Sequence, residues 1–248
     1  MNNLHSTSKD SIGSYSFAKI GDVYDVLVKE GIQSFYMTPS TFLPFYACIL
    51  NQVTEEDMMI RTTSMQCIQA FIRSIAPELI QQASPQGQCY QQIVQLTLRS
   101  CKFIIKNTNN DNIRRPIIAL MRIIAIQFKS LALPMYNYDL MPLINEEDEE
   151  KDVLLSLTHI QTRTRIAGMR SLINMTKAVR LGEMKSLSAN VVRNLLLPLI
   201  FAYIREYNKT TDSQIREECA LTLGFLSEHL SWSHYMALFR KVYNSVCL

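Results

Sequence analysis

Glycine is scarce in this chain, 7 among 248 residues, with 8 prolines and a single tryptophan. So few chain breakers leave little room for the many tight turns of a multi-stranded β fold, and the Leu, Ile, Met and Gln content favours long helices. A long apolar run is missing too. The longest, Leu195 to Ile204, has ten residues and is interrupted by Pro198. That falls short of the roughly 20 apolar residues that cross a bilayer. The six cysteines (Cys48, Cys67, Cys89, Cys101, Cys219 and Cys247) contain no C-x-x-C pair, and none stands at metal spacing from a histidine. The opening MNNLHSTSKDSIGS is polar and shows no secretory leader. The expectation is reduced, buried thiols in an intracellular protein.

Catalytic signatures are also lacking. Of the four histidines, His5 lies in the polar N-terminal stretch, His159 opens a helix, and His229 and His234 are five apart across a helix break, a poor arrangement for one metal. There is no G-x-S-x-G, H-E-x-x-H, P-loop or dinucleotide fingerprint. No nucleophile–base pair can be assembled, so the expectation is a non-enzyme with no catalytic residue, no metal, no cofactor and no small-molecule substrate.

What is present is a folding composition: 48% hydrophobic residues with a mean hydropathy of +0.02. The net charge of +3 hides a contrast. Glu146 to Asp152 holds six acids and one lysine, whereas His159 to Arg193 holds seven Lys and Arg and one acid, Glu183. The acidic run reads as a solvated loop, since it lacks the ordering glycine of a cation-binding loop. The basic region is compatible with RNA.

Read for helices, Phe17–Glu30, Thr41–Val53, a helix behind the capping pattern Thr54-Glu55-Glu56-Asp57, and Cys89–Lys106 come first. Ser84 to Gly87 reads as a loop, and Pro116 as a first-turn proline of the next helix. Pro134–Ile144 has no clear assignment. Thr158–Arg180 ends at Leu181-Gly182, Pro198 predicts a kink in Ser188–Tyr207, and Gln214–Leu230 and Trp232–Ser245 close the chain.

Four of these helices share a pattern. Behind Arg61, Arg114, Arg165 and Arg216, spaced 53, 51 and 51 residues apart, the offsets +4, +7, +10 and +14 are apolar in every copy. For Arg165 they are Met169, Leu172, Met175 and Val179, a stripe about 120° wide. Any amphipathic helix fits such offsets in a chosen register, but the near-constant spacing is not explained that way. It predicts an all-α fold, an α-solenoid of HEAT/armadillo-like helix pairs with a period of about 50 residues, ahead of a closed bundle. The expected organisation is a disordered tail at 1–14, helical repeats at 15–145, an acidic loop at 146–158 and further repeats at 159–248. The four arginines are expected to be structural repeat positions. Arg163, Arg170, Lys177, Arg180, Lys185 and Arg193 are the candidate contacts to RNA or another partner, weighed against the plain alternative of charges solvating a helix. Aromatic interleaving is sparse, so Trp232 and Tyr235 are expected to pack the last helix pair rather than stack on a base.

Three stretches carry a resemblance. HIQTRTRIAGMRSL (His159 to Leu172), the LLLPLI run (Leu195 to Ile200) and HLSWSHYMALFRK (His229 to Lys241) resemble, in order and spacing, a late segment of the giant HEAT-repeat family that is twentieth in the U-three small nucleolar RNA-associated (Utp) series. The matching residues are His159-Ile160-Gln161, Arg165, Leu197-Pro198, Leu230-Ser231-Trp232-Ser233 and Tyr235, within residues 150–246. Gly168 and Met169 depart from the family's Ala-Leu kind of pair, which is expected to weaken that helix locally. The resemblance implies a non-catalytic scaffold of the small-subunit processome in the nucleolus. It would act in 18S rRNA processing, bridging pre-rRNA or the snoRNA-containing particle and processome proteins, away from membranes. The alternative is a generic HEAT/armadillo adaptor that binds peptides in transport or trafficking.

Overall fold

A computed structural model describes residues 39–108, 110–129, 140–184, 187–207 and 213–246. The expected tail, the expected first helix and most of the Pro134–Ile144 segment lie outside these residues. Among the described residues every regular element is helical and there is no strand, so the chain is all-α. It divides into two compact units between Thr97 and Leu98.

The first unit holds α1 (Pro39–Asn51), a 3₁₀ turn (Gln52–Thr54), α2 (Met58–Ser74), α3 (Pro77–Ile80) and the first half of α4 (Pro85–Asn107). Its core is partly aromatic: Phe42 stacks on Phe71 at 5.1 Å and Tyr46 lies 5.5 Å from the same ring. The Thr97 hydroxyl donates to the Ile93 carbonyl at 2.7 Å, so at the 2.7 Å Tyr46–Thr97 contact Tyr46 is the donor. Both groups are buried, and this pairing removes the cost of two orphaned hydroxyls. Asp57 caps α2 as its position predicts, accepting from the amides of Met59 and Ile60.

Ser84–Gly87 differs from expectation, because Pro85 already begins α4. Proline at the first helical position needs no amide partner, and the Ser84 hydroxyl accepts from the Gly87 amide at 3.0 Å as an N-cap. A Cβ at Gly87 would lie 2.3 Å from the Gln82 carbonyl, so only glycine fits there.

The second unit continues α4 and adds α5 (Asp111–Gln127), 3₁₀ turns at Met141–Leu143 and Glu149–Lys151, α6 (Val153–Leu157) and α7 (Thr162–Arg180). It then has α8 (Ala189–Val191), a π turn (Val192–Leu196), α9 (Leu197–Tyr207), α10 (Ser213–Ser227) and α11 (Trp232–Val246). Asn110 caps α5 and accepts from the Asn112 amide. The helix therefore starts a turn earlier than expected, and Pro116 is its sixth residue. Around Pro198 the bend takes the form of a π turn just ahead of the proline, a widened turn that accommodates the missing amide and the ring. At the end of α7, Gly182 adopts φ +78°, and the Glu183 and Gly182 amides donate to the Ala178 and Val179 carbonyls. This is a Schellman closure, which a left-handed glycine permits.

Gly168 has a packing role that its helix propensity hides. A Cβ there would sit 2.9 Å from the Leu157 amide nitrogen and 3.0 Å from Ser156 Cβ. The glycine is what lets α6 lie directly on α7. Propensity alone makes Gly168→Ala stabilising by about 1 kcal/mol. The backbone clash reverses the sign, and a net loss of about 1–2 kcal/mol is expected. Thermal unfolding of the variant checks this, and a raised melting temperature refutes it.

Candidate functional site

Three of the four repeat arginines do the same job. Arg61, Arg114 and Arg165 each stand four residues after the residue that caps their helix, Asp57, Asn110 and Gln161. Each guanidinium reaches back to the carbonyl six residues upstream: Arg61 to Glu55 at 2.7 Å, Arg114 to Thr108 at 3.4 Å and Arg165 to His159 at 2.6 Å. The arginine thus clamps the loop entering its own helix, with donors suited to an otherwise unpaired carbonyl.

In the second unit the clamps also meet each other. Asp111 holds Arg114 Nη1 with one oxygen at 2.8 Å and Arg165 Nη2 with the other at 2.6 Å, although 54 residues separate Asp111 from Arg165. Both guanidinium groups also face the ring of Tyr203 on α9, at 5.7 Å for Arg114 and 4.7 Å for Arg165. Burial raises the Tyr203 pKa against the pull of the two cations, so its hydroxyl stays protonated and donates to the Leu157 carbonyl at 2.6 Å. Glu206, 3.9 Å from Arg165, has its carboxyl pushed up by burial and by the charge of Asp111, which together outweigh Arg165. Arg114 is 1% exposed and its Nε has no partner. The cluster ties α5, α7 and α9 together; nothing in it resembles a nucleophile with its base.

The pattern stops at Arg216, which is exposed. The buried face of α10 is Ile215, Glu218, Cys219, Thr222, Leu223 and Leu226, while Ala220 faces out. The inward register is thus one residue earlier than the offsets behind Arg216 predict. Cys219 Sγ lies 3.9 Å from Met169 Sδ, 50 residues away rather than 51. Ile215 takes the inward place that the arginines hold in the earlier helices, and no apolar offset count could distinguish these registers.

The acidic run is anchored rather than freely solvated. Asp152 is fully buried and caps α6, accepting from the Leu155 amide at 3.0 Å, the Asn145 amide at 3.3 Å and Arg122 Nε at 2.7 Å. Arg122 also bonds Glu149 at 3.3 Å and the Asn145 carbonyl at 3.0 Å. Lys129 holds Glu146 at 2.7 Å.

The six basic candidates separate. Arg170 pairs with the nearly buried Glu218 at 2.6 Å and Arg180 pairs with Glu228, both across to α10 and both 48 residues away. Lys177 Nζ sits 5.3 Å from the centre of the Phe225 ring. Arg193 donates to His234 Nε2 at 2.8 Å. Lys185 lies outside the described residues. Arg163 is exposed and lines grooves on both flanks of α7. One of these, of about 800 Å³, also takes in Arg115, Ala119, Glu149, Leu155 and Ala167. Sequence reasoning passed over Arg115, Tyr203 and Glu218. The acid at Glu218 and the hydroxyl in the apolar α9 run become meaningful only once α7 lies beside both helices. His159 does carry a hydrogen-bonding role: its Nδ1 accepts from the Gln161 amide at 3.1 Å.

Two expectations fail at the surface. Cys48 is exposed, while Cys67, Cys89, Cys101 and Cys219 are free and buried. Burial pushes the Cys101 and Cys219 thiols up to about 12, which keeps them unreactive. Trp232 is 74% exposed and stacks on Tyr235 instead of filling the last helix pair. Among the described residues no cluster of three metal-ligating side chains occurs, and no helix is long and apolar enough to cross a membrane.

No family model matches the chain. Two curated proteins do, both named U3 small nucleolar RNA-associated protein 20. That of Saccharomyces cerevisiae (strain ATCC 204508 / S288c) is 24% identical over 248 residues, covering 96% of this chain and 9% of that protein. That of Schizosaccharomyces pombe (strain 972 / ATCC 24843) is 26% identical over 188 residues, 75% of this chain and 7% of that protein. The chain therefore spans less than a tenth of the length of these relatives, and the likeness extends well beyond residues 150–246. Over most of its length, this chain is similar to one segment of U3 small nucleolar RNA-associated protein 20.

Proposed function

We propose that this chain is a segment of a non-catalytic scaffold of the small-subunit processome, acting in ribosome biogenesis within the nucleolus. In that role it holds pre-rRNA or the snoRNA-containing particle beside assembly proteins during 18S rRNA processing. The observation that carries the reading is the likeness over 96% of the chain to a protein named for its association with U3 small nucleolar RNA. The proposed architecture is a HEAT/armadillo-like solenoid. It is supported by the arginine clamp recurring on α2, α5 and α7 with one capping distance and one backbone reach.

Affinity purification of the tagged chain with sequencing of retained RNA is the test. Pre-rRNA and U3-containing particles are the expected catch; their absence overturns the reading. Arg163 is the first residue to reverse in charge. For purified chain and RNA, Arg163→Glu is expected to weaken binding and to lower the salt slope by about one phosphate contact. Arg170→Glu and Lys177→Glu serve as companions, although a phosphate at Arg170 competes with Glu218.

One observation favours the peptide-adaptor reading. The groove beside Arg163 carries both signs of charge over an alanine and leucine floor, which suits a polypeptide better than a phosphate backbone. That reading predicts that Arg163→Glu leaves RNA retention unchanged.

A further inference from the structure

We propose that the outer face of α11 is a stacking platform for single-stranded RNA, with Trp232 as its first base contact. This rests on the RNA-associated reading above and gives it a place on the molecule. Trp232 is 74% exposed, Phe239 54% and Tyr243 59%. The indole is backed on one side by Tyr235, with centroids 5.7 Å apart and planes at 20°, and this leaves its other face to solvent. Positions 232, 235, 239 and 243 fall within an arc of about 80° and run about 16 Å along the helix. An aromatic strip of that length accommodates two to three extended nucleotides.

The composition of this face distinguishes base stacking from helix packing. Helix-burying faces in the same unit are chiefly aliphatic: Ile166, Met169, Leu172 and Ile173 on α7, and the leucines of the π turn and α9. The inward residue of α11 is also aliphatic, Leu238. Only the solvent side is a run of rings. Its charge fits a polyanion: from His229 to Leu248 there is no acid, while Arg240 and Lys241 are present. Arg193 adds a fixed cation at the start of the helix. An arginine only donates, so His234 Nε2 accepts from it and the imidazole proton sits on Nδ1, 2.6 Å from the Ser231 hydroxyl. Exposed rings with cations and without acids are the recurring chemistry of sequence-tolerant single-strand binding.

Trp232 is the one tryptophan of the chain, so its emission reports this site alone. Titrating the 248-residue chain with single-stranded oligouridylate is expected to quench the emission saturably, less so at high salt, whereas duplex RNA is not expected to quench it. Trp232→Ala is expected to weaken binding of a labelled oligouridylate about tenfold by anisotropy. Its exposure means that the melting temperature should hold. Arg193→Glu should weaken binding and reduce the salt dependence. Oligouridylate that binds without quenching, and equally well to Trp232→Ala, overturns the platform and leaves the RNA scaffold standing. Absence of any RNA binding, together with a purification lacking pre-rRNA, overturns both.

Discussion

Asp152→Ala is expected to destabilise the second unit by about 3–5 kcal/mol, a fall in melting temperature of about 10 °C. The carboxylate is fully buried and receives three donors from different stretches: the Leu155 amide at the start of α6, the Asn145 amide and the Arg122 guanidinium. Alanine removes the helix cap and leaves Arg122, whose side chain is 12% exposed, beside Glu149 alone. Asp152→Asn separates the two contributions, because the amide oxygen can still cap α6 but cannot neutralise the guanidinium. An intermediate loss is expected. Thermal unfolding of the two variants checks the order, and equal melting temperatures for Asp152→Ala and the parent chain would show that the anchor contributes nothing.

Arg165→Met should cost about 3 kcal/mol, at the lower end for breaking a buried pair, since Asp111 keeps Arg114. Three directional contacts are lost: the His159 carbonyl at 2.6 Å, Asp111 at 2.6 Å and the face of Tyr203 at 4.7 Å. Arg165→Lys should recover little, because a point charge cannot serve a carbonyl, a carboxylate and a ring at once. A double-mutant cycle with Asp111→Ala isolates the ion pair and is expected to show about 1–2 kcal/mol of coupling. Strict additivity would mean that the ring and the carbonyl, rather than the carboxylate, hold Arg165 in place.

The comparison of these two sites shows what a linear pattern can report. Arg61, Arg114 and Arg165 were visible because the clamp is local. Capping residue, arginine and receiving carbonyl all lie within six residues, so the same spacing recurs in each copy. Asp57 at the start of α2 and Gly182 at the end of α7 were legible for the same reason. Arg216 misled because the apolar offsets behind it tolerate a shift of one residue, and burial of α10 against α7 resolved the choice in favour of Ile215. The partners of Arg170 and Arg180 were invisible as well: Glu218 and Glu228 lie 48 residues away on another helix.

The sequence by itself determined the helical class, most helix starts and stops, the recurrence near 50 residues and the likeness to a small nucleolar RNA-associated protein. All of these depend on residues close together in the chain or on their order along it. Tertiary structure decided which charges are free. It took Arg170 and Arg180 out of the pool of open cations and left Arg163 exposed. It buried one acid of an apparently solvated run, turned Gly168 from a weak helix residue into a contact point for α6, and set Trp232 in solvent. The physical reason is common to all four. Burial and ion pairing depend on which surfaces meet, and helices bring together residues some 50 positions apart that no local spacing connects.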